Sequence, residues 1–131
     1  MNIKRYFLFF LLIVLSLSLN AQKKAFTIDD LYKIKNVITP VLSNSGERLV
    51  FSVTESDLPN AKTINSLYVM NTNGSSLVSV SDKLPGASSP FWSSNDELYV
   101  MNKGQLYKFS LETNEAIQIT DFYAGVSDPI V

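Results

Sequence analysis

Neither cysteine nor histidine occurs among the 131 residues. Without cysteine there is no disulfide to staple a small fold and no thiol to carry a lipid near the amino terminus. Without histidine the chain holds no imidazole base and no serine–histidine–aspartate relay. Glycine is scarce, with 5 residues placed singly, so no glycine-rich loop is available to cradle a phosphate. The 11 basic residues do not form a stripe interleaved with aromatics, and 12 acidic residues offset them, which excludes a nucleic-acid footprint. Long apolar runs are equally short in supply. The longest, Tyr6 to Leu19, spans 14 residues, whereas a bilayer needs about 20.

That run has a context of its own. Lys4 and Arg5 precede it, Ser16 and Ser18 interrupt its end, and Ala21 stands before the polar Gln22-Lys23-Lys24. A basic start, a short apolar stretch and a small residue at the boundary describe a secretory signal peptide over residues 1–21, cleaved near Ala21. The expectation is an exported protein, periplasmic or secreted, with no stable membrane insertion after cleavage. Removing Lys4 and Arg5 leaves 9 basic against 12 acidic residues, a net charge near −3 that names no partner. About 110 residues remain, enough for one small domain.

The remaining chain opens with one helical segment, 22–36, and then changes character. Thr27 can cap a helix over 28–33, Asp29 and Asp30 fill its first turn, and Ile28, Leu31 and Tyr32 share a face. Beyond it come short β-branched and aromatic runs separated by Asn44-Ser45-Gly46, Leu58-Pro59-Asn60 and Asn73-Gly74. The runs repeat. Shifted by 39 residues, Leu67 to Trp92 lies over Leu106 to Val131 without a gap. Leu67, Tyr68, Asp82, Gly86, Ser88 and Pro90 then meet identical residues, and Val78, Val80 and Ser81 meet Ile117, Ile119 and Thr120. Thr39-Pro40-Val41-Leu42-Ser43 matches Ser89-Pro90-Phe91-Trp92-Ser93 at a spacing of 50, with 55–63 read as an insertion between strands.

A unit of about 40 residues holding four short strands has the period of a β-propeller blade. The expected fold is all-β: two blades across 37–125, about 37–82 and 83–121, and the first strand of a third at 126–131. The first blade takes strands 37–42, 48–54, 66–70 and 76–80, and the second takes 88–92, 97–101, 105–110 and 116–120. On this reading the chain stops one residue before an expected turn, as a piece of a longer protein would. Two blades share one interface, leaving outward apolar faces that a ring would cover.

The run Phe26-Thr27-Ile28-Asp29-Asp30-Leu31-Tyr32-Lys33-Ile34 after a signal peptide, followed by Pro40-Val41-Leu42-Ser43-Asn44-Ser45-Gly46-Glu47-Arg48-Leu49, resembles the start of exported prolyl oligopeptidase-family serine peptidases. The similarity is to their acylaminoacyl-peptidase and dipeptidyl-peptidase branch. Ser89-Pro90-Phe91-Trp92-Ser93 and Gly125-Val126-Ser127-Asp128-Pro129 are similar to that family's blade motifs and to TolB-type propeller repeats in general. The likeness covers essentially the whole chain after the leader. The family's usual Ser-Pro-Asp-Gly-Lys turn departs to Ser43-Asn44-Ser45-Gly46-Glu47 and to Ser93-Ser94-Asn95-Asp96-Glu97, the second without its glycine. The resemblance implies a propeller that restricts short peptides from reaching a hydrolase domain encoded after the blades. That domain and the remaining blades are then the chain's partners. A non-enzymatic TolB-type propeller that binds a protein or a cell-envelope component is the alternative.

No residue qualifies as catalytic, cofactor-binding or metal-binding, and no cofactor is expected. Gly86-Ala87-Ser88-Ser89-Pro90 and Gly125-Val126-Ser127-Asp128-Pro129 imitate a nucleophile elbow, but both lack its closing glycine and recur as a turn before a strand. Asp29-Asp30, Asp96-Glu97 and Asp121 with Asp128 are carboxylate pairs without a supporting cluster, and read as caps, turns or solvated faces. Asp82 and Asp121 end corresponding strands, which suits a shared turn. Trp92, Tyr68, Tyr99 and Tyr107 could line a ligand channel, but alternating strand positions fit packing between blades. Asn73-Gly74-Ser75 matches a glycosylation sequon and is first a hairpin turn.

Overall fold

The computed structural model describes residues 25–127. These form one short helix, α1 (Ile28–Tyr32), and eight strands: β1 (Asn36–Leu42), β2 (Arg48–Asp57), β3 (Lys62–Asn71), β4 (Val78–Ser79), β5 (Ser88–Trp92), β6 (Leu98–Asn102), β7 (Gln105–Ser110) and β8 (Glu115–Gln118). The strands make two four-stranded antiparallel sheets, ordered β1-β2-β3-β4 and β5-β6-β7-β8. Each sheet is a meander, so every pairing is between chain neighbours. The expected leader at 1–21 lies outside the described residues, as does 128–131 of the expected last strand. Val126 and Ser127 are described and are not in a strand.

Helix α1 forms for the reasons its sequence supplies. Thr27 is extended (φ −110°, ψ 164°), its hydroxyl accepts from the Asp30 amide, and the Asp30 carboxylate accepts from the Thr27 amide. Lys33 is the C-cap rather than a helical residue: its N–H bonds back to the Asp30 carbonyl and the Ile34 N–H to that of Leu31. No residue of the helix is buried.

The expected insertion at 55–63 is corrected. It is not a loop between strands but the end of a long hairpin, in which β2 and β3 stay paired from Arg48↔Asn71 to Asp57↔Lys62. Cross-strand pairing rather than strand propensity holds this end, because Glu55, Asp57, Lys62 and Asn65 are poor strand formers. Thr54 donates to Asn65 across the strands at 2.7 Å, and Asp57 pairs with Lys62 at 3.5 Å. A single 3-10 turn at Leu58–Asn60, capped by the Asp57 side chain, closes it. Two other strands are shorter than expected. Ser76 at φ 57° delays β4 to Val78–Ser79. Strand β8 ends at Gln118, because the amides of Ile119 and Thr120 converge on one carbonyl, that of Leu106, and leave the ladder.

The two sheets are the same object built twice. Strand β1 maps to β5 at +50, with Ile38↔Ser52, Val41↔Val50 and Leu42↔Leu49 reproduced as Ser88↔Met101, Phe91↔Tyr99 and Trp92↔Leu98. Leu49↔Met70 and Phe51↔Tyr68 become Leu98↔Phe109 and Val100↔Tyr107, and Tyr68↔Ser79 becomes Tyr107↔Gln118. Hydrogen bonds repeat as well. Leu67 accepts from Val80 N at 2.9 Å and donates to Ser81 Oγ at 2.8 Å; Leu106 accepts from Ile119 N at 2.8 Å and donates to Thr120 Oγ1 at 2.9 Å. Both first strands bulge where a positive-φ residue precedes a proline, Thr39 (φ 49°) before Pro40 and Ser89 (φ 47°) before Pro90. The turn that lacks its glycine is nonetheless tight. Asp96 takes φ 59° where Gly46 takes 74°, and each amide bonds back to the serine that opens the turn, Ser93 or Ser43.

Cross-strand partners share a face, so the register tells which faces meet. The core joins Val50, Leu67, Val69 and Val80 of the first sheet to Leu98, Val100 and Phe109 of the second, with Val41, Val78, Trp92, Tyr107 and Ala116 packed around them. The Val50 face of the first sheet corresponds, by the repeat, to the Phe91–Tyr99 face of the second. It packs instead on the Leu98–Val100 face, whose own counterpart in the first sheet is Leu49 with Phe51. Unlike faces meet. The sheets are stacked head to tail, not as mirror halves of a sandwich.

Candidate functional site

A polar clasp ties the first turns of the two sheets together at the ends of β1 and β5. Trp92 Nε1 donates to the Val41 carbonyl at 3.0 Å, Asn44 Nδ2 to the Ser93 carbonyl at 2.7 Å, and the Ser45 amide to the Asp96 carboxylate at 3.1 Å. Hydrogen bonding from Ser45 holds the Asp96 pKa below the usual carboxylate range. Left-handed backbone at Asp96 aims the carboxylate at the neighbouring turn, which a glycine in its place could not do.

Two concavities flank this clasp. One, of about 420 Å³, lies between the bulged strands β1 and β5 and is lined by Thr39, Ser52, Asn65, Ser88 and Ser89 with Ile38 and Pro90. Its polar groups are hydroxyls and an amide, which can orient a neutral polar ligand but cannot move a proton at neutral pH. The other, of about 220 Å³, is lined by Arg48, Asp96, Glu97, Lys108 and Glu112. Three of its charges, Asp96, Glu97 and Lys108, are committed. Glu97 pairs with Lys108 at 2.5 Å and accepts from the Tyr99 hydroxyl at 3.0 Å. The hydrogen bond from Lys108 lowers the Glu97 pKa, and the same contact raises that of Lys108. Burial raises the Tyr99 phenol, with Glu97 adding to the effect. A general base works best with its pKa pulled toward the working pH, and these groups are driven away from it.

The residues singled out from sequence separate rather than gather. Asp30 belongs to the α1 cap, its pKa lowered to about 2 chiefly by the Lys33 side chain and then by Thr27. Asp96 and Glu97 point to different partners, one to the first sheet and one to Lys108. Asp82 opens a turn in which its amide bonds to Ser79 Oγ; Asp128 lies outside the described residues. Among the described residues no three acidic side chains converge on a metal-sized site. Ser88 of the elbow-like run enters β5, where its hydroxyl reaches the Met101 carbonyl. The second such run continues past the described residues. Trp92 and Tyr107 pack between the sheets, while Tyr68 and Tyr99 stack on Phe51 and Phe91 on the outward faces. Asn73 holds a turn with Ser75.

The clasp residues Asn44, Ser45 and Asp96 had only one sequence signal, the loss of glycine at the position where the first turn keeps Gly46. A module of two head-to-tail sheets joined by this clasp is what the fold and site define. No helix among the described residues is long and apolar enough to cross a membrane. No family model matches the chain, and no curated protein matches it either.

Proposed function

We propose that this chain is the amino-terminal part of an exported, periplasmic or secreted, serine peptidase of the prolyl oligopeptidase type. Its two sheets are the first blades of a propeller, and that propeller admits short peptides to an α/β-hydrolase domain encoded after it. One observation carries the reading: the sheets stack through unlike faces. An interface of that kind can be continued by further copies of the unit and closes into a ring when the rotation allows. A sandwich, which pairs like with like, cannot.

The helix supports the peptidase over a propeller alone. Phe26, Ile28 and Leu31 are exposed around a capped turn, and none belongs to the core that joins the sheets. Side chains of this size call for a cover outside the blades. The role of this chain is then steric and positional, since it brings no histidine and the Asp96 and Glu97 carboxylates beside the clasp are engaged. By itself it hydrolyses nothing. The second reading, an exported TolB-type propeller that binds a protein or cell-envelope partner, draws on that same lack of a proton-transfer group. Reading the DNA downstream separates the two. About four or five further units of the 40-residue repeat followed by a Gly-x-Ser-x-Gly motif establish the peptidase. A stop codon directly after the blades rejects it in favour of the binder.

A further inference from the structure

We infer that Asn73 is a site of spontaneous covalent modification, at which the side-chain amide is lost through a cyclic imide and a carboxylate appears in the β3–β4 turn. Asn73 is the one asparagine of the 131-residue chain that a glycine follows. In this reaction the backbone nitrogen of Gly74 gives up its proton and attacks Asn73 Cγ. A bond forms between that nitrogen and Cγ, the Cγ–Nδ2 bond breaks, and the leaving amide takes up the proton to depart as ammonia. Water then opens the imide on one side or the other, giving aspartate or isoaspartate. Only water is consumed, and no enzyme or second chain takes part.

The turn supplies what that step requires. Asn73 Oδ1 accepts from the Ser75 amide at 2.9 Å and from the Ser75 hydroxyl at 2.7 Å, and Asn71 Nδ2 donates to that hydroxyl at 3.0 Å. Two donors on one carbonyl oxygen draw electrons away from Cγ and stabilise the negative charge that builds on Oδ1 during attack. The leaving nitrogen, Nδ2, has no partner among the described residues. Residues 72–77 are all exposed, and a Cβ placed on Gly74 would meet nothing within 4 Å, so the attacking nitrogen is uncrowded. One bond opposes the reaction: the Gly74 N–H donates to the Asn71 carbonyl at 2.9 Å and must open first. Elsewhere the leaving nitrogen is held, at Asn44 by the Ser93 carbonyl, at Asn60 by Asp57 and at Asn102 by the Pro85 carbonyl. The two products differ in effect. Aspartate still offers an acceptor to both Ser75 donors, and its charge enters a cleft of about 410 Å³ shared with Arg48, which holds no ion pair among the described residues. Isoaspartate lengthens the backbone of the turn by one atom. Only Tyr68↔Ser79 and Val69↔Val78 pair β3 with β4, so the longer turn loosens Val78 from the core.

The test incubates the full chain, Ser75→Ala and Ser75→Thr at about pH 7 and about pH 9, where the ion pairs of the fold stay intact. Circular dichroism checks that each is folded, and peptide mapping by mass spectrometry follows every asparagine. Conversion should come first at Asn73, run faster at the higher pH because alkali forms the attacking amide anion, and give isoaspartate among its products. Folded Ser75→Ala should convert at least about threefold more slowly, having lost one of the two donors on Oδ1, while Ser75→Thr, which keeps a hydroxyl, should hold the parent's rate. In urea all three should convert at one rate, because the turn that brings Ser75 to Asn73 is gone. Asn73 left intact while another asparagine converts overturns the inference. Equal rates for the folded parent and folded Ser75→Ala, or a Ser75→Thr as slow as Ser75→Ala, overturn the part given to the Ser75 hydroxyl.

Discussion

At the scale of single residues, the polar side chains of this protein are spent on holding turns and neighbours in place. Asp30, Asp57, Asp96 and Glu97 all have lowered pKa values, through Lys33, Asn60, Ser45 and Lys108 respectively. A group whose folded pKa is depressed contributes stability that is present above its unfolded value and is lost as pH falls through the folded one. Lys35 and Lys108 are raised, each by its glutamate, so their contribution is present below the unfolded lysine pKa and fades as pH rises through the raised value. No histidine lies between these windows. Urea midpoints should therefore stay flat from about pH 5 to about pH 9, then decline on both sides. A sigmoidal change centred between about pH 6 and 7 would contradict this assignment of charges. The same scale holds what sequence could not reveal. The lost glycine of the second turn was visible at Asp96, but not that the residue would keep the left-handed backbone and turn its carboxylate onto Ser45.

Among elements, the strands were legible wherever apolar alternation and turn residues agreed. β5 and β7 fall on the expected 88–92 and 105–110, and the 39-residue offset reappears as matched hydrogen bonds at Leu67 and Leu106. The failures share a cause: polar residues that look like loop in sequence can sit in strands when a partner strand satisfies them. Glu55, Ser56 and Thr63 do so in the long β2–β3 hairpin. Ile119 and Thr120 show the converse, being β-branched residues that leave the ladder because both amides find Leu106. Which face of each strand would be covered was not legible at all, since Met70 and Phe109 occupy the same repeat position. Their environments differ. Phe109 is buried between the sheets and Met70 is half-buried on an outward face. Phe109→Ala should cost about 3–5 kcal/mol, while Met70→Ala should cost about 1 kcal/mol. Chemical denaturation of both variants decides it. Equal losses would mean that the two positions share one environment.

For the whole molecule, the account comes down to how two copies of one sheet are stacked. Stability in such a repeat comes from the interface as much as from within each unit, and here a single interface serves both sheets. The first sheet should therefore not outlive the second on heating, because Val50, Leu67 and Val69 lose their cover when Leu98, Val100 and Phe109 leave. Open faces at both ends, the exposed helix α1 and the lack of any disulfide all make the isolated chain marginal. The same stacking is the premise of the propeller reading, so it is the point to test first. Methyl-resolved nuclear Overhauser spectroscopy on the folded chain, with valine, leucine and isoleucine labelled, reads it directly. Unlike-face stacking predicts strong contacts from Val50 and Leu67 to Leu98 and Val100, and none from Val50 to Ile117. Contacts from Val50 to Ile117, with Leu98 left exposed, would put like faces together and contradict the account.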